Sequence, residues 1–354
     1  MSRRDIYYWK CDRPAAFHGT QTRGHADAEI ERLLREVLQR HFSATNVVLS
    51  TGAGQGNHLT WNAEIDSVAM FVRVENGPEK DGHLAVESTV LDRVRAIGIP
   101  TPRVHGCDAT RSRVPFAWQA LQRIDAPDLN RWFKQDQLDT PRIAFEIGAA
   151  VAQWQGLTFP GYGPLDETLR GYHPTYADYF HLRLDQHLAF LVARGFLTHQ
   201  QREEITAEID NHRTLLALEG GCLVHKDLAL WNILGTPHEI TAFIDFDDVI
   251  SGDAMDDISL LGCFHDAAFL RRAIEGYQSF RPLPPEHRRR FWLHLLRNMI
   301  VKAVIRVGAG YFERNDSFFL IGSGSHGGSL KQFTQDRLDL ALHGLRDNSD
   351  LHIL

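Results

Sequence analysis

What the chain has little of narrows the field first. It holds four cysteines, Cys11, Cys107, Cys222 and Cys263, far apart and with neither disulfide-framework nor metal-ligand spacing. Cys107 and Cys222 sit in apolar surroundings and are expected to act as small hydrophobes. There is no excess of positive charge: 38 basic side chains face 45 acidic ones, for a net charge of −7, which argues against a nucleic-acid partner. The one dense basic run, Arg288, Arg289 and Arg290, precedes an apolar helical pattern and reads as a solvated helix face. No stretch approaches the ~20 apolar residues that cross a bilayer. The opening MSRRDIYYWKCDRP lacks the apolar centre of a secretion signal, so no membrane and a cytoplasmic location are expected. Nineteen histidines occur, yet none stands in H-E-x-x-H, and neither a G-x-S-x-G elbow nor a Walker-type glycine loop is present.

What remains is an ordinary globular composition, 43% apolar and 23% charged over 354 residues, long enough for two lobes. Residues 1–25 show no clear period and are assigned to an N-terminal extension. Ile30, Leu33, Leu34, Val37 and Leu38 then mark a helix face. The runs NVVLS, HLTWNAEI and VAMFVRV follow as β-type segments. AVESTVLDRVRAIG is helical and closes on Gly98, and FAWQALQRI is a further strand ending near Asp125. Beyond it the pattern turns helical, with starts at Thr140–Pro141 and Thr198, and an amphipathic helix near 330–345. Two strands interrupt it, CLVH and EITAFIDF, and GSGSHGGSL at 322–330 reads as a loop. A strand-rich first third ahead of a helix-rich remainder predicts an α+β, bilobal protein with an N-lobe over 26–124 and a C-lobe over 125–354.

Two segments carry chemistry. HKDLALWN, residues 225–232, runs straight out of the apolar GGCLV. Its His-x-Asp-Leu-x-x-x-Asn spacing is that of a kinase catalytic loop. A carboxylate, Asp227, can receive or orient an attacking hydroxyl, and five residues on the amide oxygen of Asn232 can reach a metal beside the phosphates. His225 is expected to brace the loop. The second segment, FIDFDDVISGDAMDDIS, packs six aspartates (245, 247, 248, 253, 256 and 257) into thirteen residues. Such crowding raises proton affinity unless a cation or hydrogen-bond donors compensate, and hard oxygen ligands suit Mg²⁺. Asp245 is the ligand candidate, and Asp247 is either a second ligand or an outer-shell carboxylate. Asp253 is expected to cap the following helix, with Asp256 and Asp257 holding structure or facing water. The bland alternative is a polar turn followed by a solvated acidic loop.

Together these segments resemble the aminoglycoside phosphotransferase and choline-kinase-like small-molecule kinases. The motif residues are His225, Asp227 and Asn232, then Ile244-Asp245-Phe246, then Gly252-Asp253 and Asp257. In segment order the chain is similar to the hygromycin phosphotransferases, including a Gly-aromatic-Gly-Pro turn at 161–164. The resemblance covers residues 45–300 and is specific only in the two catalytic segments. It implies a protein-kinase-like fold, ATP and Mg²⁺ as cofactors, and transfer of the γ-phosphate to a small-molecule hydroxyl. The nucleotide clamp then falls to the first third. Gly52, Gly54 and Gly56 lie between two strands, where bare backbone can approach phosphate, although a plain turn reads equally well. Arg73 stands where most relatives carry a phosphate-holding lysine, and hygromycin-type enzymes resemble this chain in showing arginine. An outward-facing edge-strand arginine is the competing reading. Glu87, opening its helix, is the natural partner for Arg73 or else an exposed first-turn glutamate. Backbone near Gln122 to Ile124 lies where the adenine-binding connection passes.

The expected acceptor is an aminoglycoside or aminocyclitol antibiotic, with Asp266 and Glu275 as candidate contributors to an acidic cleft. A metabolic sugar or amino-alcohol kinase is the alternative. A nucleotide-binding pseudokinase with a sensing or scaffold role, and a metal-dependent hydrolase on His225 and Asp227, are the rivals from other classes. The hydrolase lacks the further ligands it needs. Monomer or homodimer stays open.

Overall fold

A computed structural model of the chain describes residues 3–12, 28–52, 58–77, 82–313 and 329–354. A 3-10 turn (Arg3–Asp5) and α1 (Trp9–Asp12) open it, followed by α2 (Ala28–Phe42), β1 (Val47–Thr51), β2 (Leu59–Ile65), β3 (Val68–Glu75), α3 (His83–Ala96), β4 (Val104–Asp108) and β5 (Ala117–Gln122). The five strands form one antiparallel sheet in the order β1-β2-β3-β5-β4. Its tight hairpin, Ile65 opposite Val68, turns through Asp66 and Ser67, both at positive φ. That is the geometry that matches strand twist. The Asp66 carboxylate holds the turn by accepting the backbone N–H groups of Thr45 and Asn46.

Alternation along β3 decides which side chains face the site. Met70, Val72 and Val74 enter an N-lobe core with Trp61, Ala63, Phe116, Trp118 and the α2 residues Leu34, Val37 and Leu38. Burying a valine of this kind contributes about 1.5–3 kcal/mol. Arg73 therefore points to the opposite face, the face on which α3 lies. There Gln119 of β5, paired with Arg73 across the sheet, donates to the Ser88 hydroxyl of α3 at 2.9 Å. The apolar stripe of α3 (Val86, Val90, Leu91, Val94) belongs to the C-lobe core, so this helix ties the lobes together.

The C-lobe comprises α4 (Leu129–Lys134), α5 (Thr140–Trp154), β6 (Thr158–Phe159), β7 (Tyr162–Leu165), β8 (Gly171–His173), α6 (Tyr176–Phe180), α7 (Leu184–Ala193), α8 (His199–Asn211), β9 (Gly221–Val224), β10 (Ile233–Thr236), β11 (Glu239–Phe243), β12 (Ile250–Gly252), α9 (Asp256–Gly262), α10 (Ala267–Gln278), α11 (His287–Gly308) and α12 (Leu330–Asp347). The expected helix starts are present. Thr198 and Gln201 form a reciprocal capping box, and Asp139 caps α5 one residue ahead of Thr140–Pro141. Helices α5 and α10 pack through glycines: a Cβ on Gly148 would run into the Ala273 carbonyl, and one on Gly276 into that of Phe145.

The architecture is the expected bilobal α+β one, with a β-rich N-lobe and a mainly helical C-lobe. Several local expectations need correction. Two C-lobe strands were expected, but the described residues hold seven, in a β6-β9-β12-β7-β8 sheet and a β10–β11 hairpin. Strands of two to five residues are too short to show a period of two. Of the GYGP segment, Tyr162 to Pro164 belong to β7 and Gly161 is the bend that leads into it, with Gly161 and Gly163 at φ 71° and 78°. Cys222 is half-buried against the C-lobe core, in keeping with a small hydrophobe, and Cys107 is half-buried too, but Cys11 and Cys263 are the more deeply buried pair. In the arginine run, Arg288 and Arg289 reach surface partners, while Arg290 turns inward to Asp253 at 2.5 Å. Most of the segment 322–330 lies outside the described residues. Among the described residues no helix is long and apolar enough to cross a membrane.

Candidate active site

Strand β9 carries Leu223 and Val224 into the core, and the polar stretch that follows is held open by one buried carboxylate. Asp257, at the start of α9, accepts the backbone N–H groups of His225 at 2.9 Å and Lys226 at 3.1 Å, and the Trp154 indole N–H at 3.1 Å. These bonds fix the chain where Lys226 adopts a left-handed φ of 68°, a conformation that costs about 1–3 kcal/mol. The His225 ring completes the bracing. Its Nδ1 accepts the Asp227 N–H at 3.3 Å, which leaves Nε2–H to donate to the Ile244 carbonyl at 3.0 Å. Lys226 itself points inward to Asp256 at 2.7 Å. Asp256 offsets the cost of burying that ammonium and keeps the lysine's proton affinity above its ordinary value.

The two acid-bearing segments are stitched together. Ile244 N–H donates to the Asn232 carbonyl at 3.0 Å, and the Asn232 amide nitrogen donates to the Asp227 carbonyl and carboxylate at 2.8 and 3.2 Å. With its nitrogen committed to Asp227, the Asn232 side chain has its oxygen left for a cation. Asp245 lies two residues past the end of β11 rather than on it, at φ 67°. Its side chain is 36% exposed, against 10% for Asp247. Two hard oxygen donors joined by a short backbone link, one of them facing solvent, fit a partly hydrated Mg²⁺.

Opposite them stands Arg73. It binds both Glu87 oxygens at 2.7 Å, Asp245 at 3.1 Å and Asp247 at 3.2 Å. The arginine is therefore no edge-strand ornament. Glu87 is fully buried in the second turn of α3, which begins at His83, and is not an exposed first-turn residue. Burial, together with the charges of Asp247 and Asp245, pushes the Glu87 carboxyl up to about 7 despite the guanidinium. Asp247 goes the other way. Although burial opposes it, a hydrogen bond from His58 and the charge of Arg73 hold Asp247 well below the usual carboxylate range. His58, buried beside Arg73, is pushed down to about 3 and is neutral near pH 7.

Among the described residues two further clusters could gather three ligand atoms, His58–His83–Asp247 and Cys11–Asp12–His187, each set within 4.8 Å. Both have an arginine on them, Arg73 on Asp247 and Arg297 on His187. That positive charge competes with a metal ion.

The N-terminal segment, to which no site role was given in the sequence, reaches the centre of the site. Tyr8 donates its hydroxyl to Asp227 Oδ1 at 2.8 Å, Trp9 donates to Asp248 at 2.6 Å, and Arg3 donates to the Asp247 carbonyl. Lys302, from the buried face of α11, lies 3.5 Å from the same Asp227 oxygen. A lysine inside the apolar run MIVKAVI was the available signal for that residue; DIYYWK had none beyond its aromatic density. The cavity of about 250 Å³ between Arg3, His83, Leu165 and Glu167 is smaller than ordinary ligand pockets.

The remaining candidates are less connected to this centre. Gly52 closes β1 with its N–H on the Thr60 carbonyl, and a Cβ there would approach Thr60 and Trp61 at 3.0 Å. Gly54 and Gly56 lie outside the described residues. The Gln122 N–H is committed to the Arg103 carbonyl at 2.7 Å, so that group is not one adenine can use; Ile124, half-buried, follows the strand. Asp253 does not cap α9, whose first-turn flank is Met255. Instead its carboxylate takes Arg290, His294 and the Met255 N–H. Asp266 caps α10 and Glu275 pairs with Arg272, so both carboxylates are engaged away from Asp227.

Comparison with known proteins agrees with this geometry at the level of family. Among curated proteins no sequence matches. Solved structures do. The aminoglycoside phosphotransferase APH(4)-Ia superposes with a TM-score of 0.60 at 17% identity, over 88% of this chain and 98% of that one. A putative fructosamine-3-kinase from Haemophilus somnus 129PT gives 0.58 at 15% identity, over 88% and 97%. ADP-bound APH(2'')-Ib gives 0.52 at 16%, over 90% and 99%. At such identities these likenesses establish the fold and do not single out the hygromycin branch. The model of the phosphotransferase enzyme family matches residues 49–292, from within the first strand through both acid segments, and the chain belongs to that family.

Proposed function

We propose that the chain transfers the γ-phosphoryl group of ATP to a hydroxyl of a small molecule, with residues 26–124 clamping the nucleotide and 125–354 carrying the chemistry. The observation that supports this best is the arrangement at Asp227: its Oδ1 already accepts a hydroxyl at 2.8 Å, while Oδ2 is oriented by Asn232 at 3.2 Å. In this reading Asp227 aligns the acceptor hydroxyl and takes its proton, and His225 keeps the loop in register. Arg73, held by Glu87, engages the α- and β-phosphates, aided by backbone near Gly52, Gly54 and Gly56. Backbone between Gln122 and Ile124, other than the Gln122 N–H held by Arg103, meets the adenine. Asn232 and Asp245 would hold Mg²⁺, with Asp247 as an outer-shell carboxylate, since it is the less exposed of the two acids and carries His58 as well as the Arg73 that both share. The bound cation supplies charge neutralisation on the phosphates. Because the transition state of phosphoryl transfer is loose, alignment and charge compensation by these side chains carry most of the effect.

An aminoglycoside or aminocyclitol is the acceptor class we favour, in line with the hygromycin B bound by one structural neighbour. The fructosamine-3-kinase neighbour keeps a sugar or amino-alcohol acceptor in view. A pseudokinase role has one observation in its favour, the Tyr8 hydroxyl on Asp227.

ADP release with a panel of hydroxylated acceptors, at two magnesium concentrations, tests the proposal. Asp227→Asn is expected to lower turnover by about 10²–10⁴ while leaving nucleotide affinity nearly unchanged. Turnover equal to wild type would remove Asp227 from its role.

A further inference from the structure

Residues 3–12 are packed into the catalytic centre as though bound there. The Tyr7 ring is stacked on Tyr179 with centroids 4.8 Å apart, and the buried Arg297 guanidinium lies 3.6 Å from its centroid. Tyr179 donates to the Tyr7 carbonyl at 3.0 Å. Asp12 accepts the N–H groups of Tyr7 and Tyr8 at 2.8 and 3.0 Å, and is itself held by His187 at 2.7 Å. Trp9 and Arg3 anchor the segment to Asp248 and Asp247 in the acidic segment. The outcome of all this anchoring is a single hydroxyl, that of Tyr8, on the oxygen of Asp227 that an acceptor must reach.

We propose that Tyr8 is a self-phosphorylation site, its phenolic oxygen accepting the γ-phosphoryl group of nucleotide bound to the same chain. The inference rests on the phosphotransferase reading above and adds a second acceptor to it. The phenolic oxygen forms a bond to the γ-phosphorus, and the bond from that phosphorus to the β,γ-bridging oxygen breaks. ADP leaves with the electron pair, and the phenolic proton passes to Asp227 and then to water. ATP and the phenol thus give phosphotyrosine, ADP and one proton.

Three features favour the step. The hydroxyl is fixed in place before reaction, the condition under which intramolecular transfer gains most. The phenol is kept protonated, first by burial and then by the charges of Asp227 and Asp248, so it needs a base at its oxygen, and Asp227 is that base. The cation of Lys302 stands 3.5 Å from Asp227 and 5.2 Å from the centre of the Tyr8 ring. The product explains how the site would then clear. A phosphotyrosine carries a charge of about −1.5 to −2. Placed among Asp227, Asp247 and Asp248, that charge is repelled, and the segment leaves the acceptor position.

The test is intact and tandem mass spectrometry of the full chain after incubation with Mg·ATP and no added acceptor, with ADP measured in the same samples. Expected are up to one phosphoryl group per chain, located on Tyr8, and a rate per chain independent of protein concentration. The signal should be absent in Tyr8→Phe and in Asp227→Asn. ADP formation that is lost in Asp227→Asn, with no phosphotyrosine in the wild type, overturns the inference and leaves the kinase reading standing. So does phosphate elsewhere than Tyr8, or a rate proportional to protein concentration. No phosphotyrosine in these samples, together with no ADP release from the acceptor panel, overturns both.

Discussion

Replacing Asp257 should damage the protein more than replacing any metal-facing acid, although it is not expected to touch substrate. Its carboxylate is fully buried, with Oδ2 accepting from His225 N–H and the Trp154 indole and Oδ1 from Lys226 N–H. Asp257→Ala leaves three buried donors without their acceptor, at about 1–3 kcal/mol each, or about 3–9 kcal/mol in total. The substitution also removes a carboxylate that burial disfavours, as the raised proton affinity of Asp257 indicates. A net loss of about 3–5 kcal/mol is expected, a large share of the roughly 5–15 kcal/mol that holds a typical domain together. Asp257→Asn keeps one oxygen, enough for two of the donors, but turns an NH₂ toward the third. Its expected cost is about 1–3 kcal/mol. Urea unfolding followed by tryptophan fluorescence measures both, since Trp154 sits on the perturbed group, and turnover should fall in the same order as stability. If Asp257→Ala unfolds within about 1 kcal/mol of wild type, the carboxylate is not what holds Lys226 in its left-handed conformation.

Two other expectations concern pH. Asp253 works against burial to reach a folded value of about 2, through His294 and Arg290. A lowered carboxyl contributes stability above its unfolded value, near 4, and loses it as pH falls through about 2. Asp253→Asn should therefore cost about 2 kcal/mol above pH 4 and converge with wild type near pH 2 in acid-unfolding curves; a constant difference would contradict the assignment. Glu87 has the opposite sign. Its folded value of about 7 lies above 4.5, so its contribution is complete below about pH 4 and lost as pH rises through about 7. Glu87→Gln should match wild type in unfolding midpoint at pH 4 and exceed it at pH 8, while turnover falls because Arg73 loses its anchor. A midpoint difference that does not vary with pH speaks against this sharing of charge.

The bilobal order was legible because its elements are long or strongly alternating. VAMFVRV declares its buried face in three residues, and α5 and α11 repeat their apolar positions over three turns or more. The Arg73–Glu87 pair was expected from the family resemblance, and strand alternation, which turns Arg73 away from Val72 and Val74 and toward α3, is the physical reason it forms. The short C-lobe strands were not, because three residues such as Ile250–Gly252 satisfy any period and owe their pairing to neighbours distant in sequence. The N-terminal segment was the larger omission. DIYYWK has no periodicity, and it is ordered by partners some 170 to 290 residues away: Tyr179, Asp227, Asp248 and Arg297. Local sequence carries no trace of such contacts.

The acidic segment shows why crowding alone does not indicate a metal. Six like charges in thirteen residues demand compensation, but the fold supplies protein partners for each. Asp247 has His58 and Arg73, Asp248 has Trp9, Asp253 has Arg290 and His294, Asp256 has Lys226 and Asn298, and Asp257 has three N–H groups. Asp245 differs in degree: it is the more exposed, and the guanidinium it meets at 3.1 Å is shared with Glu87 and Asp247. Three carboxylates around one arginine leave the locality short of positive charge, and Asp245 is the member that solvent, and hence a hydrated cation, can reach. A nucleotide arriving with its own magnesium would relieve that deficit, and would also draw Arg73 from the acids toward phosphate. The case for a cation at Asp245 therefore rests on unequal compensation within the cluster and not on the number of aspartates in it.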